Sequence, residues 1–69
     1  LLLEPLTPAE RRILELLPTE LSLKEIGARL WVSPETVRTH VRDIYRKLEV
    51  HSRSEAVARA RELGLLVTS

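Results

Sequence analysis

The chain has no cysteine, no methionine and no phenylalanine, and only one tryptophan, one tyrosine, two glycines and two histidines among its 69 residues. Each shortage excludes something. Without cysteine there is neither a disulfide framework nor a thiolate metal site to hold so small a fold together. His40 and His51 have no carboxylate pattern around them that builds a metal site, so no metal or other cofactor is expected. Two glycines cannot make a glycine-rich phosphate loop. No nucleophile stands with a base and an orienting acid at helical spacing, so an enzyme is not expected either. No apolar run approaches the ~20 residues of a membrane span, and the opening LLLEPL is too short for a signal peptide's apolar region. A cytoplasmic setting follows. The absence of methionine even at position 1 marks the chain as a fragment whose Leu1–Leu3 end joined something larger.

What the chain does have is 43% apolar and 30% charged residues, the composition of a helical domain with an aliphatic core rather than of a disordered segment. At this length a single core is barely sufficient, so every helix must contribute to it. The formal net charge of +1 is uninformative, but its distribution is not. Residues 1–33 carry four basic and five acidic groups, residues 34–48 four and two, and residues 49–69 three of each.

Local chemistry divides the chain into four helices. Thr7-Pro8-Ala9-Glu10 offers a capping hydroxyl, a proline at the first helical position and a glutamate three residues after the cap, so a helix starts there. Ile13, Leu14 and Leu17 form its buried stripe, and Pro18 ends it. Ser22-Leu23-Lys24-Glu25 repeats the capping box, with Leu23, Ile26, Gly27 and Leu30 on one face of a short second helix. Ser33-Pro34 opens a third helix three residues later, which leaves Trp31 and Val32 in a tight turn. Ser52-Arg53-Ser54-Glu55 is a further capping box, followed by an inward face of Ala56, Val57, Ala60 and Leu63. Gly64 is placed to close that helix in the left-handed conformation.

At about 100° per residue, Val37, Val41, Ile44 and Leu48 gather on one side of the third helix, while Glu35, Arg38, Thr39, Arg42 and Arg46 gather on the other. The apolar side fixes the helix to a core. A short helix, a three-residue turn and a longer helix make a helix-turn-helix, which sets its second helix across the major groove of DNA.

The residues Leu6-Thr7-Pro8-Ala9-Glu10, Lys24-Glu25-Ile26, Leu30, Val32-Ser33, Thr36-Val37-Arg38, His40, Ile44, Lys47-Leu48, Val50, Arg53, Ala56-Val57 and Gly64-Leu65-Leu66 carry a resemblance. In this pattern the chain resembles the C-terminal DNA-binding domain of LuxR/NarL/GerE-type transcriptional regulators. The resemblance implies an all-α, compact four-helix domain over residues 6–66, preceded by a linker remnant (1–5) and followed by a short tail (67–69). It implies a homodimer on double-stranded DNA, formed through the fourth helix, and an upstream sensor domain in the full-length protein. It places Arg38, Thr39 and Arg42 where family members touch bases, and Lys24, Thr36 and Lys47 where they approach the DNA backbone. Arg46, farther down the helix, either follows the backbone or does nothing.

On the fourth helix the outward residues Ala58, Arg61 and Glu62 form the expected dimer contact, with the charged pair crossing a two-fold axis reciprocally. His40 is expected to pack against the second helix and Trp31 to plug the corner between two helices. Glu25 caps, and pairs with an arginine of the third helix in one reading. Four positions depart from the family pattern: Ala9, Glu20, Leu23 and Glu49. A non-glycine residue at position 49 would carry ~1 kcal/mol of strain in a left-handed closing conformation, which predicts a rebuilt turn. The competing reading of the whole chain is a protein-docking module, its arginines meeting an acidic surface such as one on RNA polymerase.

Overall fold

The computed structural model describes residues 4–66, so Leu1–Leu3 of the expected linker and the expected tail, residues 67–69, lie outside the described residues. Four helices follow one another: α1 (Pro8–Leu16), α2 (Leu23–Leu30), α3 (Pro34–Leu48) and α4 (Arg53–Glu62). Each begins on a hydroxyl. Thr7, Ser22, Ser33 and Ser52 hold extended backbone and accept a hydrogen bond from the amide three residues on, at 3.1, 3.1, 3.2 and 3.2 Å, which satisfies one of the otherwise unpaired donors of each first turn. Glu10 and Glu25 complete the reciprocal half by accepting from the Thr7 and Ser22 amides at 3.0 and 2.8 Å. Glu55 departs from this expectation, because its carboxylate accepts from the His51 amide at 2.7 Å instead. Ser52 has φ −149°, against −71° to −73° at the other caps, and that rotation turns its own amide away from Glu55.

The helix ends are more informative. α1 stops at Leu16, just short of Pro18, and its terminal carbonyls are not left to solvent. Arg53, at the start of α4, donates from Nε to Leu17 O at 2.8 Å and from a terminal nitrogen to Thr19 O at 2.9 Å. α2, α3 and α4 close by the same device, in which the amide of Val32, Val50 or Leu65 reaches back five residues to Gly27, Tyr45 or Ala60 at 2.9, 2.9 and 2.8 Å. The device needs a left-handed residue, and the three are Trp31 (φ 64°), Glu49 (φ 59°) and Gly64 (φ 74°). Gly64 behaves as its lack of Cβ suggests. The turn at Glu49 is not rebuilt: the Val50 hydrogen bond, a second from the Glu49 amide to Arg46 O at 3.2 Å, and the packing of Val50 against the core hold the strained conformation in place.

Trp31 does not plug a corner. It is 93% exposed. The corner is already closed by backbone, since a Cβ added to Gly27 would lie 2.7 Å from Val32 O and 3.2 Å from Val37 Cγ2. Gly27 thus lets α2 and the start of α3 approach closely, and no volume is left for an indole.

α3 occupies the middle of the fold and packs against the other three helices. The core comprises Ile13, Leu14 and Leu17 from the α1 region, Ile26 from α2, Val37, Val41, Ile44 and Leu48 from α3, and Ala56 and Ala60 from α4. Each large aliphatic side chain buried here stabilises by about 1.5–3 kcal/mol relative to its exposed state. α4 buries only alanines fully, while Val57 and Leu63 pack half-buried at its margin. No helix among the described residues is long and apolar enough to cross a membrane.

Candidate nucleic-acid interface

α3 has two unlike sides. Val37, Val41, Ile44 and Leu48 are buried, while Glu35, Thr36, Arg38, Thr39, Arg42 and Arg46 are exposed. Arg38 and Arg42 lie one turn apart, about 6 Å along the axis, and among the described residues neither forms an ion pair; those formed are Arg46–Glu4, Lys47–Glu10 and Arg59–Glu62. Thr39 donates its hydroxyl hydrogen to Glu35 O at 3.1 Å, a back-bond within the helix that directs the hydroxyl at the backbone. Thr36 is exposed in the first turn, with its hydroxyl 2.9 Å from Ser33 Oγ. Lys24 is exposed in the first turn of α2. Glu25 beside it makes no ion pair with α3 among the described residues. Its carboxylate is held by Ser22, whose backbone and side-chain hydrogen bonds lower its pKa.

Lys47 leaves the expected set. Its side chain is 6% exposed, and its ammonium donates to Glu10 Oε1 at 2.6 Å and to Pro5 O at 3.0 Å. The position that the resemblance assigned to the DNA backbone faces the N-terminal turn of α1, and its ammonium is buried with two acceptors there instead of reaching outward. Burial pushes the Glu10 carboxyl up, but the Lys47 and Thr7 hydrogen bonds and the Lys47 charge outweigh it, so Glu10 titrates below the ordinary glutamate range. Arg46 is exposed yet engaged, 2.6 Å from Glu4 Oε1, and that hydrogen bond holds the Glu4 carboxyl low.

His40 is half-buried, and together with Ala9, Arg12, Ile13, Leu30 and Val32 it lines a small hollow between α1 and the α2–α3 turn. Its Nδ1 is buried without a hydrogen-bond partner among the described residues. On α4, Ala58, Arg61 and Glu62 are all exposed. Ala58 and Arg61 line an open hollow with Leu17, Pro18, Arg53, Ser54 and Val57, but Glu62 lies 3.7 Å from Arg59 of its own helix. Among the described residues no three acidic or histidine side chains are grouped to hold a metal ion.

This geometry has close counterparts. Residues 4–60 match the model of the GerE family, bacterial regulatory proteins of the luxR family. The chain belongs to the LuxR family. It is similar to the spore germination protein GerE of Bacillus subtilis, with 41% identity over 61 residues that span 88% of this chain and 82% of GerE. It is also 48% identical over 54 residues to a nitrate/nitrite response regulator homologue of Haemophilus influenzae, spanning 78% of this chain but 26% of that protein. A solved GerE structure superimposes with a TM-score of 0.83 at 40% identity, covering 90% of this chain and 92% of GerE. The response regulator ChrA of a heme-sensing two-component system gives 0.86 at 39%, covering 90% and 31%. LuxR-family domains serve DNA-binding transcription regulation and are not enzymes.

Three residues hold α3 and its neighbours in place in this LuxR-family domain beyond what their sequence context announces. Glu10, legible as a cap, also holds Lys47 and so ties α1 to the far end of α3. Gly27, legible as part of an apolar face, sets the approach of α2 to α3. Arg53 ties α4 to α1 through carbonyls some 34–37 residues away in sequence. A single glycine inside a helical pattern is the one signal that pointed to such a role.

Proposed function

We propose that this LuxR-family domain binds double-stranded DNA with sequence preference, with α3 lying in the major groove. The observation that carries this reading is the pair Arg38 and Arg42: two guanidinium groups one turn apart, exposed and unpaired among the described residues, on a helix whose other side is held in the core. An arginine so placed can donate two hydrogen bonds to the O6 and N7 edge of guanine. Thr39 lies between them and presents its methyl group, which suits the methyl of thymine, because its hydroxyl is directed at Glu35. Lys24 and Thr36 flank this face and approach phosphates, which position the helix without reading sequence; Arg46 does so only where Glu4 releases it.

The fourth helix supplies a two-fold contact through Ala58, Arg61 and Glu62, so that two protomers occupy half-sites about one helical turn of DNA apart. The contact is small, and the free domain is monomeric until DNA brings two copies together. The chain spans about a quarter of the Haemophilus response-regulator homologue it matches, which supports a further, signal-receiving part in the full-length protein.

Selection of bound duplexes from a random pool tests the reading. An enriched motif with two related half-sites is expected, and sedimentation at saturation should show two domains per duplex. Equal retention of all duplexes would overturn sequence preference, and one protomer on a two-half-site duplex would overturn the dimer.

A further inference from the structure

Trp31 is the single tryptophan of the chain, and among the described residues nothing packs on its side chain. It is 93% exposed, so it contributes almost no buried area. Its backbone is left-handed at φ 64°, a conformation that penalises any residue with a Cβ and that glycine would adopt freely. Folding therefore gains nothing from an indole here and is opposed by it. A contact outside the chain remains.

The position says what kind of contact. Trp31 closes α2 and stands two residues before Ser33, the cap of α3. In a helix-turn-helix the N-terminal part of the second helix meets base edges while the first crosses the backbone, so the residue joining them lies at the rim of the groove, level with the phosphates. Helical register brings the Cα of residue 31 to the side of α2 that carries exposed Lys24 and Ala28, at spacings of seven and three. Among the described residues the exposed large apolar ones are Trp31 and its neighbour Val32, the latter at 38%. Two side chains are far less than the ~800 Å² per partner of a stable protein interface, but one side chain is enough to cover a deoxyribose and donate its indole N–H to a phosphate oxygen.

We infer that Trp31 is a DNA-backbone contact, clamping the strand at the mouth of the groove beside Lys24. The inference rests on the DNA-binding reading above. Trp31 is uncharged, so its contribution differs from that of Lys24 in a measurable way: it adds affinity without releasing a counterion.

The same residue is also the reporter. Binding of the domain to a labelled duplex is followed by anisotropy, and acrylamide quenching of tryptophan emission is measured with and without saturating duplex. Quenching should fall at least ~2-fold on the duplex, as expected for an exposed ring that becomes covered. Trp31→Ala and Trp31→Gly should each weaken binding ~3- to 10-fold, the size of one hydrogen bond with its packing, equally on preferred and unrelated duplexes. Their salt slopes should match that of the unaltered domain, whereas Lys24→Ala should make the slope shallower by roughly 1. Trp31→Gly should also melt at a higher temperature while binding more weakly, a combination that a structural role for the indole would not give. Unchanged quenching on a saturated duplex would overturn the inference alone and leave the DNA-binding reading standing. Failure of every duplex to bind would overturn the DNA-binding reading, and this inference with it.

Discussion

The four arginine and lysine residues of α3 divide into two halves that are used in opposite ways. One half, Arg38 and Arg42, extends from the exposed side with no ion pair among the described residues. In the other, at the C-terminal end, Arg46 meets Glu4 and Lys47 is buried against Glu10 and Pro5. A helix can thus look uniformly basic in sequence while only part of it offers charge to a ligand. On the proposed reading, the DNA-facing side is set as much by where acidic partners are missing as by where arginines are present. The other half fixes the angle at which that face is held, because Lys47 joins the last turn of α3 to the first turn of α1.

The largest effect should come from breaking the buried end. Lys47→Met keeps the apolar stem and removes the ammonium, leaving Glu10 buried without its cation. Losing one partner of such a pair costs about 3 kcal/mol or more, comparable with the whole stability of a domain this small. Urea unfolding followed by circular dichroism should show a large fall in midpoint. A variant that unfolds like the original but loses DNA affinity with a shallower salt slope would return Lys47 to the phosphate contacts.

The next effect belongs to the free end. Arg42→Ala removes an exposed side chain, so stability should change by no more than ~0.5 kcal/mol, while affinity for the best site falls by ~1–3 kcal/mol and preference at one base pair disappears. Binding curves on the best site, its single-base variants and unrelated DNA measure this. A uniform loss on every duplex would make Arg42 a phosphate contact and move base reading to Arg38 and Thr39.

This contrast also explains which features were legible in the sequence. The helix starts were, because a cap is a matter of four consecutive residues: Thr7 and Glu10, Ser22 and Glu25, Ser33 and Pro34. The two sides of α3 were, because 3.6-residue periodicity is local too. Lys47 was not, since its fate depends on Glu10, 37 residues earlier. Nor was the pairing of Arg53 with the end of α1. The left-handed turns at Trp31 and Glu49 were missed for a different reason: glycine announces that conformation, and other residues adopt it only where hydrogen bonds such as Val32 to Gly27 and Val50 to Tyr45 enforce it.

Acid should separate the two ends by a smaller effect. Glu10 has a folded pKa below its ordinary value, so the unfolded chain takes up a proton first as pH falls. Its stabilising contribution is complete above the ordinary glutamate value of about 4.3 and is lost as pH drops through the lower folded value. Denaturant midpoints measured from pH 6 downward should therefore hold steady and then fall below that range. In Lys47→Met the acid-dependent part of the fall should shrink, because the cation that lowers the Glu10 pKa is gone. An unchanged acid profile in that variant would mean that the acid-dependent loss comes from other carboxylates held low, such as Glu4 and Glu25, and not from Glu10.

The smallest expected effect tests whether the boundary between the two ends can be moved. Arg46 sits on the exposed side of α3 like Arg38 and Arg42, and it differs from them by having Glu4 at 2.6 Å. Both members of that pair are about half exposed, and exposed pairs add little to stability, so Glu4→Gln should leave the melting curve unchanged. Its consequence lies in competition. The Glu4 carboxylate occupies the guanidinium that a phosphate would otherwise meet, and its own charge repels the strand. Removing that charge should strengthen binding to all duplexes by ~2-fold, in line with the modest worth of a surface pair, and steepen the salt dependence as one more phosphate contact is made. The gain should vanish in the Arg46→Ala background, where no cation remains to be released. If Glu4→Gln tightens binding equally well without Arg46, the carboxylate acts only through long-range repulsion, and Arg46 belongs with Lys47 on the structural end of the helix.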